Sequence, residues 1–177
     1  MRPLKNERFG ARNVSLMGKI FASVVALAAI FVWWTGRMLP AVVASHFVAD
    51  GTANGFMPRA AYVGTMLALV VLVPSLVFFI GRLAAHLPYK FINLPNKQYW
   101  LAPERRAASL ASLGNFGSSV GFAVALLLCF VHWLVVRANQ VQPAHLEQAS
   151  LAGVMAVFIL VIGVGVAVNL RRFFRAP

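Results

Sequence analysis

Four long stretches of the chain are almost entirely apolar, and more polar stretches separate them. Each apolar stretch contains about 20 residues, which is the length of helix that crosses a hydrocarbon core of roughly 30 Å. Lys19 is the one charged residue inside them, and it lies near enough to a segment end for its ammonium to reach the headgroups. The pattern predicts four spanning helices, at about residues 14–35, 60–81, 115–136 and 151–170.

Composition supports a membrane location for the whole chain. The 177 residues are 60% hydrophobic and 11% charged, whereas about a quarter of the residues in soluble domains are charged. A cleavable signal peptide ending before Ser45 is the alternative explanation of the first apolar stretch, and the three further stretches argue against it. We therefore predict an all-α integral membrane protein that forms a single membrane domain over residues 1–177.

The basic residues are distributed unevenly between the polar segments. Thirteen of the sixteen Lys and Arg flank the start of span one, occupy the middle connection or follow span four. Such a bias predicts that both termini and residues 82–114 are cytoplasmic, and that residues 36–59 form an outer loop. The same flanks suit anionic lipid headgroups, so we expect no nucleic-acid partner. This distribution is typical of a multi-pass protein of the bacterial cytoplasmic membrane.

The outer loop combines turn residues with apolar ones. Asp50-Gly51 and Asn54-Gly55 are dipeptides that favour tight turns, because glycine adopts positive φ at low cost. These dipeptides predict a loop that folds back twice and packs on the ends of the helices. In that arrangement the Asp50 carboxylate accepts backbone N–H bonds at its turn.

A metal site is the alternative explanation of the polar residues on this side. The outer connection between spans three and four carries His145, and Pro143 predicts the first turn of a helix that continues into span four. Imidazole and carboxylate groups together are ligands for zinc or copper, although their spacing here matches no metal motif. Without such a site no cofactor is expected. The candidate ligands are His46, Asp50, His132 and His145.

The middle connection, residues 82–114, mixes prolines, aromatic residues and basic residues. That mixture is typical of a segment lying in the membrane interface. Pro103 followed by Glu104 predicts a helix start, so a helix from there to Val136 would be roughly 50 Å long. The residues selected as a cytoplasmic motif are Asn93, Leu94, Pro95, Asn96, Lys97, Trp100, Pro103, Glu104, Arg105 and Arg106.

Small residues recur along one side of the third span. Gly114, Gly117 and Gly121 form a strip, and the last two have the GxxxG spacing that allows close helix approach. The strip predicts a packing surface. Packing within the chain and formation of a homodimer both remain open.

The chain lacks the common sequence patterns of catalytic sites. It contains no G-x-S-x-G, H-E-x-x-H or P-loop pattern and no pair of carboxylates inside a span. We therefore expect a non-enzymatic protein that acts in recognition or signalling. A small transporter or metal-handling protein with an outer His/Asp site is the alternative.

Two stretches resemble a known family. "LPAVVASHFVADGTANGFMPR" after the first span, and the later "INLPNKQYWLAPERR", resemble the membrane proteins of domain-of-unknown-function family sixteen forty-eight, which includes SdpI-type immunity proteins. The resemblance covers about residues 20–140. It implies a membrane fold, a toxin peptide or another membrane protein as partner, and toxin immunity as one function. The outer-loop residues selected as a motif are Leu39, Pro40, His46, Phe47, Asp50 and Gly51.

Overall fold

The computed structural model describes residues 5–83 and 86–175, and of residues 5–15 it describes the backbone alone. Arg2, one of the basic residues before span one, lies outside this part. Five helices, one two-stranded hairpin and one 3-10 turn follow each other in the described part. In chain order they are α1 (Lys5–Gly36), β1 (Val42–Phe47), β2 (Ala53–Pro58), α2 (Arg59–Leu83), the 3-10 turn Tyr89–Phe91, α3 (Lys97–Trp100), α4 (Pro103–Ala138) and α5 (Gln148–Phe174).

The prediction of four apolar helices long enough to cross a membrane is confirmed. Their spanning segments are Leu16–Gly36, Arg59–Leu83, Pro103–Ala138 and Gln148–Phe174. Helix α4 begins at Pro103 with Glu104 in its first turn, as the sequence predicted. Its 36 residues correspond to roughly 54 Å, so α4 extends well beyond a hydrocarbon core.

Helices α2 and α4 make the closest helix–helix contact in the bundle. A Cβ added to Gly81 of α2 would lie 2.7 Å from the Cα of Gly117, and one added to Gly121 would lie 3.1 Å from the carbonyl oxygen of Pro74. Backbone therefore faces backbone at this crossing, which only residues without a side chain allow. The glycine strip of span three is thus used for packing within the chain.

The other two long helices attach to this pair. Helix α1 packs on both α2 and α4, and Phe21 stacks on Phe78 with ring centroids 4.1 Å apart. Helix α5 packs chiefly on α4, where Gly165 lies against the ring of Phe116. The remaining surface of α5 is apolar and exposed, which suits contact with lipid.

The two ends of the bundle differ in structure. At one end, which we call the hairpin end, β1 and β2 pack on α2, and β1 also packs on α4. The largest apolar cluster lies beneath the hairpin; its buried members are Ala28, Val32, Leu39, Val43, Tyr62, Met66, Val70, Val135 and Val136. At the opposite end, which we call the loop end, Ile92, Leu101 and Leu110 form a smaller cluster.

Two local predictions are wrong. Asn54-Gly55 forms no turn but lies within β2, where Gly55 opposes His46 at a register irregularity. A Cβ on Gly55 would lie 2.8 Å from the Cβ of His46, so the glycine makes room for a cross-strand neighbour. Pro143 also starts no helix, because α5 begins five residues later at Gln148.

Candidate functional site

The hairpin is closed by a turn at Asp50-Gly51. The Asp50 carboxylate accepts the backbone N–H of Thr52 at 2.8 Å and also its hydroxyl, while Gly51 has φ +91°. Two backbone bonds between Val48 and the far side of the turn, both 2.9 Å, complete it. Hydrogen bonding by the Thr52 hydroxyl, and then by its N–H, holds the pKa of Asp50 below its ordinary value. Asp50 is therefore a charged turn residue.

A single side chain from α4 attaches the hairpin to the bundle. The amide of Asn139, at the end of α4, accepts the N–H of Ala44 at 2.8 Å and donates to the carbonyl oxygen of Ala44 at 2.9 Å. It also donates to Val135 within its own helix at 2.9 Å. Because one amide pairs with both backbone groups of Ala44, it acts as a neighbouring strand would. This contact fixes β1 on the end of α4.

The tip of the hairpin is held by the connection between α4 and α5. Leu146 donates its N–H to the carbonyl oxygen of Gly51 at 2.8 Å, and the Gln148 amide donates to Val48 at 3.3 Å. The ring of His145 lies so close to Gly51 that an added Cβ would be 2.9 Å from its Cε1 and Nε2 atoms. Glycine is thus required here both for its positive φ and for this contact.

A buried histidine joins three helices below the hairpin. His132 of α4 is fully buried; its Nε2 lies 2.9 Å from the Thr35 hydroxyl and its Nδ1 lies 3.2 Å from the Tyr62 hydroxyl. The Thr35 hydroxyl donates to Phe31 at 2.6 Å, so Nε2 donates to Thr35 and Nδ1 accepts from Tyr62. Both ring nitrogens are occupied, and the imidazole acts as a polar connection between α1, α2 and α4.

The four predicted metal ligands are not brought together. His132 lies in the bundle core, whereas the His46 ring lies on β1 beside the Ser45 hydroxyl, 3.1 Å from its Nδ1. Asp50 and His145 lie at the hairpin tip. Among the residues that the structure describes, no three His, Cys, Asp or Glu side chains are placed to hold one ion. These four side chains therefore occupy separate positions in the described part of the chain.

The other outer-loop motif residues have structural positions. Leu39 is 3% exposed, and its carbonyl oxygen accepts a bond from the Arg59 guanidinium at 3.0 Å. Phe47 packs between two buried apolar clusters, and Pro40 is exposed just before β1. Leu39 and Phe47 therefore pack the hairpin and its first connection onto the helix bundle.

At the loop end, the cytoplasmic motif holds the last turn of α5. The Asn96 amide donates to the carbonyl oxygens of Phe173 and Phe174, both at 3.1 Å. The Trp100 indole N–H also donates to Phe173 at 2.8 Å, and the two rings meet edge to face. Because α5 ends at Phe174, these two carbonyl oxygens have no N–H partner one turn further along the helix. The motif therefore provides a C-terminal cap from a distant part of the chain.

The two arginines of this motif also bind backbone carbonyls. Arg105 donates to Tyr99 at 2.9 Å and stacks on its ring at 3.9 Å, and Arg106 donates to Leu87 at 3.0 Å. Lys97 lies 4.3 Å from the ring of Tyr89. Within the motif, Leu94 and Pro95 are half-buried, whereas Asn93, Pro103 and Glu104 are exposed.

Several residues with these roles were not selected from the sequence. Asn139, Thr35, Tyr62 and Phe173 each contact a partner far along the chain. A single asparagine after an apolar helix is common at helix ends, so nothing local distinguishes Asn139. Only the position of His132 within a span pointed to the buried network.

No protein-family model, curated protein or solved structure matches the chain. What defines its class is the set of four apolar helices, each long enough to span a bilayer. The chain is a multi-pass membrane protein with a hairpin seated on one end of its bundle.

Proposed function

We propose that this protein is a non-enzymatic recognition protein that presents its hairpin as a rigid binding surface. The attachment of β1 to α4 carries this proposal, because Asn139 pairs with both backbone groups of Ala44. A surface held in one conformation loses little conformational entropy when a partner binds. Phe56 and Val42 on the hairpin are 61% and 62% exposed, and they supply apolar contact area.

The polar groups inside the spans support recognition over transport. Both nitrogens of His132 are occupied, and Ser118 and Asn169 bond to carbonyls one turn back in their own helices. Transport pathways use polar groups that face water or a substrate. In the described part of the spans, these three polar side chains instead make hydrogen bonds within the protein.

The proposed location rests on the distribution of charge. The proposed partner rests on the resemblance of two sequence stretches to a known family. Most Lys and Arg lie before or at the start of span one, in the middle connection or after span four. This distribution favours a cytoplasmic loop end and an outward hairpin. A bacterial cytoplasmic membrane is the setting we propose. The partner would then be a secreted peptide or the outer part of another membrane protein, and SdpI-like toxin immunity is the narrower form of this function.

Site-specific photo-crosslinking in native membranes tests the proposal. A benzophenone amino acid is placed at Phe56 of the hairpin, or at Phe79 of α2, which is 65% exposed on a spanning helix and serves as the matched control. We expect a discrete protein or peptide adduct from position 56 and only lipid adducts from position 79. The adduct should weaken when Asn139→Leu loosens the hairpin. Lipid adducts alone at both positions would refute a recognition role for the hairpin.

A further inference from the structure

A small pocket lies beside the hairpin, between the end of α1 and the start of α2. Its volume is about 250 Å³, and its lining residues are Trp33, Gly36, Arg37, Arg59, Ala60 and Val63. Gly36 lies against Val63, since a Cβ there would lie 2.7 Å from a methyl group of Val63. The missing side chain therefore lets the end of α1 and the start of α2 approach closely beside the pocket.

Two guanidinium groups face this pocket with most of their donors free. The Cζ atom of Arg37 lies 3.7 Å from the centroid of the Trp33 ring, and the Arg37 side chain makes no hydrogen bond in the described part of the chain. Arg59 uses one Nη1 bond, to Leu39 at 3.0 Å, which fixes the orientation of its planar group. A guanidinium has five N–H donors, so the pair retains several for a ligand.

No acidic side chain neutralises this charge among the described residues. The chain has four Asp and Glu in all. The Asp50 carboxylate is bonded to its own turn, and Glu147 accepts the Ser150 hydroxyl at 2.9 Å. Glu104 lies at the loop end, and Glu7 lies in the first turn of α1, about 45 Å along the helix from Gly36. Two adjacent cations without a counter-ion attract an anion from the surroundings.

We propose that this pocket binds the phosphodiester group of a phospholipid in the leaflet at the hairpin end. Guanidinium groups match phosphate oxygens in a bidentate geometry. Trp33 and Trp34 are 49% and 63% exposed and mark the interface where headgroups lie. The apolar wall at Val63 continues along α2 into the spanning region, so acyl chains follow the helix while the phosphate enters the pocket.

Lipid binding to the purified protein tests this assignment. Detergent-solubilised protein is titrated with short-chain phosphatidylglycerol, and bound lipid is counted by native mass spectrometry. Arg37→Gln removes a side chain that makes no hydrogen bond in the described structure, so the fold should be unaffected. We expect affinity to fall at least about tenfold in this variant, and further when Arg59→Gln is added.

Arg137→Gln is the matched control, because Arg137 is exposed at the same end of the bundle but outside the pocket. Its lipid affinity should equal that of the unmodified protein. Equal loss in Arg137→Gln and Arg37→Gln would overturn the proposal, as would unchanged binding in the double variant. Competition with inorganic phosphate distinguishes a phospholipid from a soluble anion as the ligand of the pocket. If millimolar phosphate displaces the lipid completely, the pocket is a soluble-anion site and the lipid assignment is wrong.

Discussion

Asn139→Leu is the substitution that most directly tests how the hairpin is held. Leucine has the same number and branching of side-chain heavy atoms as asparagine but cannot replace its amide bonds to Ala44. Ala44 is 1% exposed, so its N–H and carbonyl would stay buried without partners. Each such group costs about 1–2 kcal/mol, in the lower part of the usual range, and the pair therefore costs about 2–4 kcal/mol. The bundle should still form, because apolar helices are held in the bilayer independently.

Hydrogen exchange of the protein in lipid nanodiscs measures this loss. Exchange of the β1 and β2 amides should accelerate by roughly 30- to 1,000-fold, which corresponds to that free energy. The helices should keep their protection. Asn93→Leu at the loop end is the control, since Asn93 is exposed and its side chain makes no hydrogen bond in the described part of the chain. Unchanged hairpin exchange in Asn139→Leu would refute the role of the amide.

Three further predictions concern the buried network, the turn and the topology. Tyr62→Phe leaves Nδ1 of His132 without a donor and should lower the free energy of unfolding by about 1 kcal/mol, measured as a reduced melting temperature; an unchanged melting temperature would contradict the network. The pKa of Asp50 is lowered from 3.8 by folding, so the stability it contributes is complete above that pH and is lost as the pH falls through the folded value. Amide exchange at the tip should therefore accelerate in acid, and Asp50→Asn should abolish that acid dependence. Reporter fusions after Ala53 should report the outside and those after Asn96 the cytoplasm, and the opposite result would place the hairpin inside.

The spanning helices were predictable because their signal is local. Twenty consecutive apolar residues specify a membrane helix whatever lies elsewhere in the chain. The same holds for Pro103 at the start of α4, where the fixed φ of proline suits the first turn. Asp50-Gly51 is a third case, since the carboxylate bonds to a residue two positions away.

The errors arise where a partner is distant in the sequence. The Asn54-Gly55 dipeptide predicts a turn because the sequence alone does not show that Gly55 opposes His46 across the hairpin. Asn139 meets Ala44 across 95 positions, and Asn96 meets Phe173 across 77. No periodicity links such pairs. The loop-end motif could be recognised as unusual, but its role as a cap for α5 requires the fold.

The distance along the chain between Ala44 and Asn139 also determines how long after its own synthesis the hairpin can be anchored. A ribosome adding about 5–20 residues per second needs roughly 5–20 seconds to make the 95 residues that separate them. During that interval the second span is made, while β1 still lacks its partner at the end of α4. Gly51 waits equally long, because its bond comes from Leu146, which also lies 95 positions later. The hairpin is therefore anchored only after the third span has been made, although both of its strands are made before the second span.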